Sequence, residues 1–158
     1  MPDETALRKQ IAQTLDWEDA HAGFDAAVEG LAPDLRGKTP PGLPYSPWQL
    51  VEHIRRTQAD IIEFCQAPSY EEKEWPKDYW PDSAAPPSPK AWDDSIAAVR
   101  RGRKALAALT VAEKTDLTAP VPNGTGQTYL REILLVADHT AYHVGELIVV
   151  RRLLGAWK

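Results

Sequence analysis

Apolar side chains recur at helical spacing in four stretches of the chain. In the first, residues 3–31, Leu7, Ile11, Leu15, Phe24, Val28 and Leu31 lie along one stripe, and His21 falls on it. The second, residues 48–66, carries Leu50, Ile54, Thr57, Ile61 and Phe64, with His53 three residues after Leu50 and four before Thr57. The third, residues 90–117, places Ile96, Val99, Leu106 and Leu109 between charged neighbours. The fourth, residues 123–158, is apolar on two sides. Leu130, Ile133, Ala137, Ala141, Val144 and Ile148 form one face, and Leu135, Val136, Leu147, Val150 and Leu154 another. Such a helix is either central in its fold or shared with a second subunit. None of the stretches shows sustained strand-like alternation, so the pattern predicts an all-α chain of four helices.

Proline sets the boundaries. After Pro2 the prolines cluster at 33–47, 68–89 and 120–122, and proline is excluded from helix interiors because it lacks a donor and clashes with the preceding turn. Ser46-Pro47-Trp48-Gln49 reads as a capping box with proline at the first helical position. Ser88-Pro89 repeats the entry signal, Thr128 is suited to cap the last helix, and Gly155 to end it. The connection 67–89 holds Tyr70, Trp75, Tyr79 and Trp80 among six prolines. So aromatic a loop is expected to pack down, either as a satellite cluster over one end of the core or as the lining of a substrate pocket.

Composition narrows the function. The 158 residues form one domain, 1–158, large enough to bury a core without covalent staples. A single cysteine, Cys65, excludes a disulfide framework, and it is expected to be a buried, inert thiol. The N-terminal residues are polar and acidic, no uninterrupted apolar run is long enough for a membrane span, and a cytoplasmic protein is expected. A net charge of −5 argues against a nucleic-acid partner, and Arg100-Arg101-Gly102-Arg103-Lys104 is expected to be a solvated helix face.

The chemistry rests on the histidines. His139 and His143 are four apart on the last helix, which sets their β-carbons about 5–6 Å apart on one face, close enough to grip one metal ion. Threonine follows His139, so the pair is not the zinc-protease pattern. His53 lies on the apolar stripe of the second helix, where an imidazole without a partner is costly, and core metals in helical bundles take ligands from facing helices. His53, His139 and His143 are therefore read as a three-histidine divalent metal site with one open position, suited to activating water or a thiol. Glu146 shares the face of His143 and is the expected group for orienting a bound water or ligand. His21 stays open between a fourth ligand, an acid or base in the pocket, a supporting group and a simply buried histidine. Glu52, Asp138 and Tyr142 are read as structural. A phosphate-binding glycine loop and a nucleophile elbow are both missing from the sequence.

The stretch Asp138-His139-Thr140-Ala141-Tyr142-His143-Val144-Gly145-Glu146-Leu147, followed by Arg151-Arg152-Leu153-Leu154-Gly155, resembles the last helix of the DinB-like superfamily. Ser46-Pro47-Trp48-Gln49-Leu50-Val51-Glu52-His53 resembles its second helix, and order and spacing match over essentially the whole chain. The resemblance implies an antiparallel four-helix bundle with a long crossover, often a homodimer. It also implies a divalent metal, commonly nickel or zinc, on His53, His139 and His143. Better-understood relatives are metal-dependent transferases or isomerases that use a low-molecular-weight thiol, so a thiol cosubstrate and a small electrophilic substrate are expected, with transfer or hydrolysis as the reaction. The alternative is a non-catalytic metal- or ligand-binding helical module of the stress response.

Overall fold

Helix signals at the three serine and threonine caps translate directly into structure. The computed structural model describes residues 4–157, which form five α-helices: α1 Glu4–Gln13, α2 Phe24–Val28, α3 Pro47–Gln66, α4 Pro89–Val111 and α5 Tyr129–Leu153. Short 3₁₀ turns follow α1 at Thr14–Asp16 and precede α3 at Pro33–Leu35. Among the described residues there is no β-strand, only an isolated bridge between Pro120 and Thr128. Ser46 closes the capping box: its hydroxyl accepts from the Gln49 backbone N–H, and its own N–H donates to the Gln49 side chain. The hydroxyls of Ser88 and Thr128 accept from the backbone N–H groups of Ala91 and Arg131 in the same way. Gly155, at φ +69°, follows the last helix as the αL residue that only glycine adopts freely.

The first stretch is not one helix. Between Leu15 and Phe24 the expected stripe offers only His21, and Asp16, Asp19 and Gly23 are poor helix formers. The helix therefore stops after the first 3₁₀ turn and restarts at Phe24, with the exposed His21 in the intervening loop. Arg103 of α4 spans the break, pairing with Asp16 on one side and Asp25 on the other at 2.5 Å each, while Arg100 also reaches Asp25. Those contacts correct the reading of the basic run as a solvated face at Arg103, which has 12% of its side chain exposed and ties the first arm to α4; Arg100, Arg101 and Lys104 are exposed as expected. Burial beside both guanidinium groups leaves the Asp25 carboxyl below its ordinary pKa, the ion pairs outweighing the desolvation.

The direction of the helices also differs from an all-antiparallel arrangement. Ser95 of α4 donates to Glu52 of α3, and Gly102 of α4 lies against Gln58. The C-terminal end of α3 meets the segment that follows α4, through Asn123, which donates to the carbonyls of Phe64 and Ala67. Hence α3 and α4 run side by side in the same direction, with α5 opposed to both. The 20 residues of α3 rise about 30 Å. Returning the chain to the start of α4 takes a crossover, and residues 67–88 have ample reach for it.

Two apolar clusters form the core. One gathers Phe24, Val28, Leu31, Trp48, Leu50, Ile54, Trp92, Ile96, Val99, Val144, Leu147 and Val150. The other gathers Leu15, Ile61, Cys65, Leu106, Leu117, Val121, Ile133 and Val136. By length and composition alone α5 could cross a membrane, although charged residues interrupt its apolar positions. It packs against α3 along one side, where buried Glu132 and Arg151 also sit. Arg151 donates to the carbonyls of Ala27, Glu29 and Ala156, fixing α2 to the end of α5. Cys65 is buried, and burial pushes its thiol up to about 12, so it is inert as expected.

Candidate metal centre

On α3 the first apolar cluster ends near Ile54 and the second begins at Ile61; on α5 the corresponding limits are Val144 and Val136. His53, His139 and His143 fall at this junction. One nitrogen from each lies within 4.8 Å of the other two, and Nε2 of His53 is 3.1 Å from Nε2 of His139. Two imidazole nitrogens bound tetrahedrally to one ion at 2.0–2.1 Å would stand about 3.3 Å apart, so the donors already sit near ligand spacing.

Each outer ring atom has a reason to face as it does. Nδ1 of His53 is 2.9 Å from the backbone carbonyl of Tyr79. A carbonyl only accepts, so Nδ1 carries the proton and Nε2 presents a lone pair to the cluster. Nδ1 of His143 donates to Glu146 at 2.6 Å, which turns its Nε2 inward as well. Nε2–H of His139 can donate to Nε2 of His53, and a cation held there would require the neutral His139 ring to carry its proton on Nδ1 instead. Burial first, then the neighbouring imidazoles, hold His139 down to about 3. Burial likewise lowers His53 to about 4, with the Tyr79 carbonyl pulling the other way. Both rings are neutral near pH 7, the state in which imidazole ligates a cation. The donor set fits a divalent metal.

The crossover forms one wall. Trp80 stacks face to face on His53 at 3.8 Å between centroids, and Tyr45 stacks on the far side of Trp80 at 3.9 Å. Trp75 meets His53 edge-on, and Tyr142 meets His143 edge-on; both aromatics are about two-thirds exposed. Arg56 donates to the Trp80 carbonyl at 3.0 Å and to Glu52. Glu52, buried and bonded to Arg55, Arg56 and Ser95, is an anchor between α3 and α4, and those partners leave its pKa lowered despite burial. The connection thus covers the core and lines the site at once.

The structure brings together His53, His139, His143 and Glu146 of the expected residues. Glu146 contacts His143 itself, so it orients that ring. His21 is not part of this cluster: it is exposed, and its Nδ1 lies 3.2 Å from the carbonyl of Ala22. Its assignment to the inner stripe assumed a helix that Asp19 and Gly23 interrupt. Sequence reasoning named Tyr79 and Trp80 only as part of an aromatic loop that covers the core or lines a pocket; it did not find the Tyr79 backbone carbonyl, which leaves no side-chain signature, or the Trp80 stack on His53, which needs the crossover to double back along α3.

Comparison with known proteins adds the lineage. No curated protein and no solved structure matches the chain. The sequence pattern of the DinB superfamily matches residues 16–147, which include every residue of the cluster. By that match, and with a three-histidine cluster compatible with metal binding, the chain belongs to the DinB superfamily.

Proposed function

We propose that the protein is a metal-dependent enzyme in which His53, His139 and His143 hold a divalent ion, nickel or zinc by family precedent, and act on a small electrophilic substrate. Three neutral imidazoles leave the charge of such an ion uncompensated, and when bound it would serve as a Lewis acid that lowers the pKa of a water or a low-molecular-weight thiol. Glu146 holds the His143 ring, the Tyr79 carbonyl holds the His53 ring, and Trp80 shields the His53 face from water. Transfer of the thiol, or hydrolysis, is the reaction this reading assigns. The observation that carries this reading is the approach of two Nε2 atoms to 3.1 Å with the third imidazole beside them.

Protein purified without a histidine tag should contain about one divalent ion per chain, and lose it in His53→Ala and His143→Ala. Folded wild-type protein that takes up neither nickel nor zinc stoichiometrically would overturn the reading. Thiol-conjugation and hydrolysis assays test catalysis: turnover that survives both substitutions in folded protein would remove the catalytic claim.

The same reading takes α1 and α2 as the interrupted fourth member of a four-helix bundle and the active form as a homodimer. Support for the dimer lies on α5, where Leu134, Leu135, Tyr142, Val149 and Leu153 are exposed around Gly145. A β-carbon at Gly145 would meet nothing within 4 Å, so no contact within the chain demands glycine there. An exposed mid-helix glycine costs about 1 kcal/mol relative to alanine, and close approach of a second helix would offset it. Light scattering should return twice the chain mass, and monomer for Tyr142→Glu.

A further inference from the structure

Residues 53, 56 and 60 of α3 lie three and four apart on one face of the helix, and all three hold the crossover. His53 takes the Tyr79 carbonyl, and Arg56 donates to the carbonyls of Asp78 and Trp80. Asp60 receives two phenols: Tyr79 donates to one oxygen at 2.7 Å and Tyr70 to the other at 3.1 Å. Tyr79 therefore spans the gap, its hydroxyl on Asp60 and its carbonyl on Nδ1 of His53. Neither tyrosine belongs to the two core clusters, and both are only partly buried.

We propose that Asp60 is the remote positioning residue of the metal site: by gripping Tyr79 and Tyr70 it fixes the Tyr79 carbonyl on His53 and so keeps the His53 lone pair at Nε2, facing the ion. The group that holds a ligand ring commonly changes metal affinity about 10–100-fold when lost. Here that group is a backbone carbonyl, which substitution at position 79 cannot delete, and its location depends on a carboxylate two helical turns along α3. A carboxylate accepts both phenols at once; an amide offers one acceptor oxygen, and the phenol beside its NH2 would have to accept instead, leaving its own O–H without that partner.

The proposal rests on the metal reading in one arm of its test and is independent of it in the other. In chelated, ¹⁵N-labelled protein, long-range ring correlations should show His53 protonated at Nδ1 and bare at Nε2. Asp60→Ala and the double variant Tyr70→Phe/Tyr79→Phe should convert it to a mixture of tautomers, while the exposed His21 ring stays unchanged. In the second arm, cobalt(II) affinity should fall about tenfold in both variants with altered visible bands, and Asp60→Asn should lie between them and wild type. A purely structural role for Asp60 would lower the melting temperature and leave the tautomer and the cobalt spectrum of the folded protein alone. Should Asp60→Ala fail to fold, the double phenylalanine variant, which deletes only two oxygens, decides the question. Wild-type protein that binds no cobalt would sink the metal reading while the tautomer arm still tests the clamp. His53 protonated at Nε2 in wild type, or a tautomer and cobalt affinity unchanged in folded variants, would overturn the inference.

Discussion

Two proline-rich connections flank α4, and they have opposite employments. Residues 67–88 run back along α3 and present polar-tipped aromatics: Tyr70 and Tyr79 bond Asp60, and Trp80 stacks on His53. The connection between α4 and α5 buries aliphatic groups, Leu117 and Val121, in the second core cluster, and uses Asn123 to satisfy the last carbonyls of α3. Proline content makes both into irregular segments; the side chains between the prolines decide whether a segment serves the site or the core. An aromatic with a hydrogen-bonding tip can pack and position at once, whereas leucine and valine can only pack.

The largest effect that would sharpen this contrast is expected at Trp80. Trp80→Ala removes two ring stacks and should cost about 3 kcal/mol of stability while weakening metal binding about tenfold in the folded protein. Chemical denaturation and a zinc titration read the two losses separately. Leu117→Ala, in the other connection, should cost about 2–3 kcal/mol and leave metal affinity unchanged; a parallel loss of affinity would break the division of labour. Asn123→Ala strands two carbonyls at the end of α3 and should cost about 1–2 kcal/mol, again with the site intact.

Acid should separate the regions too. The folded pKa values of His53 and His139, about 4 and about 3, lie below the ordinary 6.5. Between those limits the unfolded chain binds more protons than the folded one, so the stability of chelated protein is complete above 6.5 and declines as pH falls through the window. Melting temperatures at about pH 7 and about pH 5 measure it, and Leu117→Ala should show the same decline as wild type. The smallest effect is expected for Trp75→Ala: two-thirds exposed, it should shift stability by no more than about 0.5 kcal/mol, with any change confined to ligand binding.

How much of this was legible in the sequence depends on whether the signal was local. Ser46, Ser88 and Thr128 mark helix starts through bonds that close within three residues, and all three read correctly. His139 and His143 likewise needed only the helical repeat, and His53 a position on an apolar face. The first arm misled because stripe arithmetic carries a helix across Asp19 and Gly23 without weighing propensity, which placed His21 inside. Helix direction was invisible, since proline spacing gives the length of a connection and not where it goes. The link from Asp60 to Tyr79 to His53 joins positions that only the doubled-back crossover makes neighbours; Asp60 seven residues after His53, and two tyrosines among the prolines, were the available hints.

The imidazoles interrupt what would otherwise be a continuous column of hydrocarbon between the two core clusters. A chain selected for durability alone would fill that gap with leucine or phenylalanine and would melt at a higher temperature with the cation stripped away. On the proposed reading the imidazoles are a seam left open in the protein's own interior, and an ion held there would restore the rigidity the seam gives up.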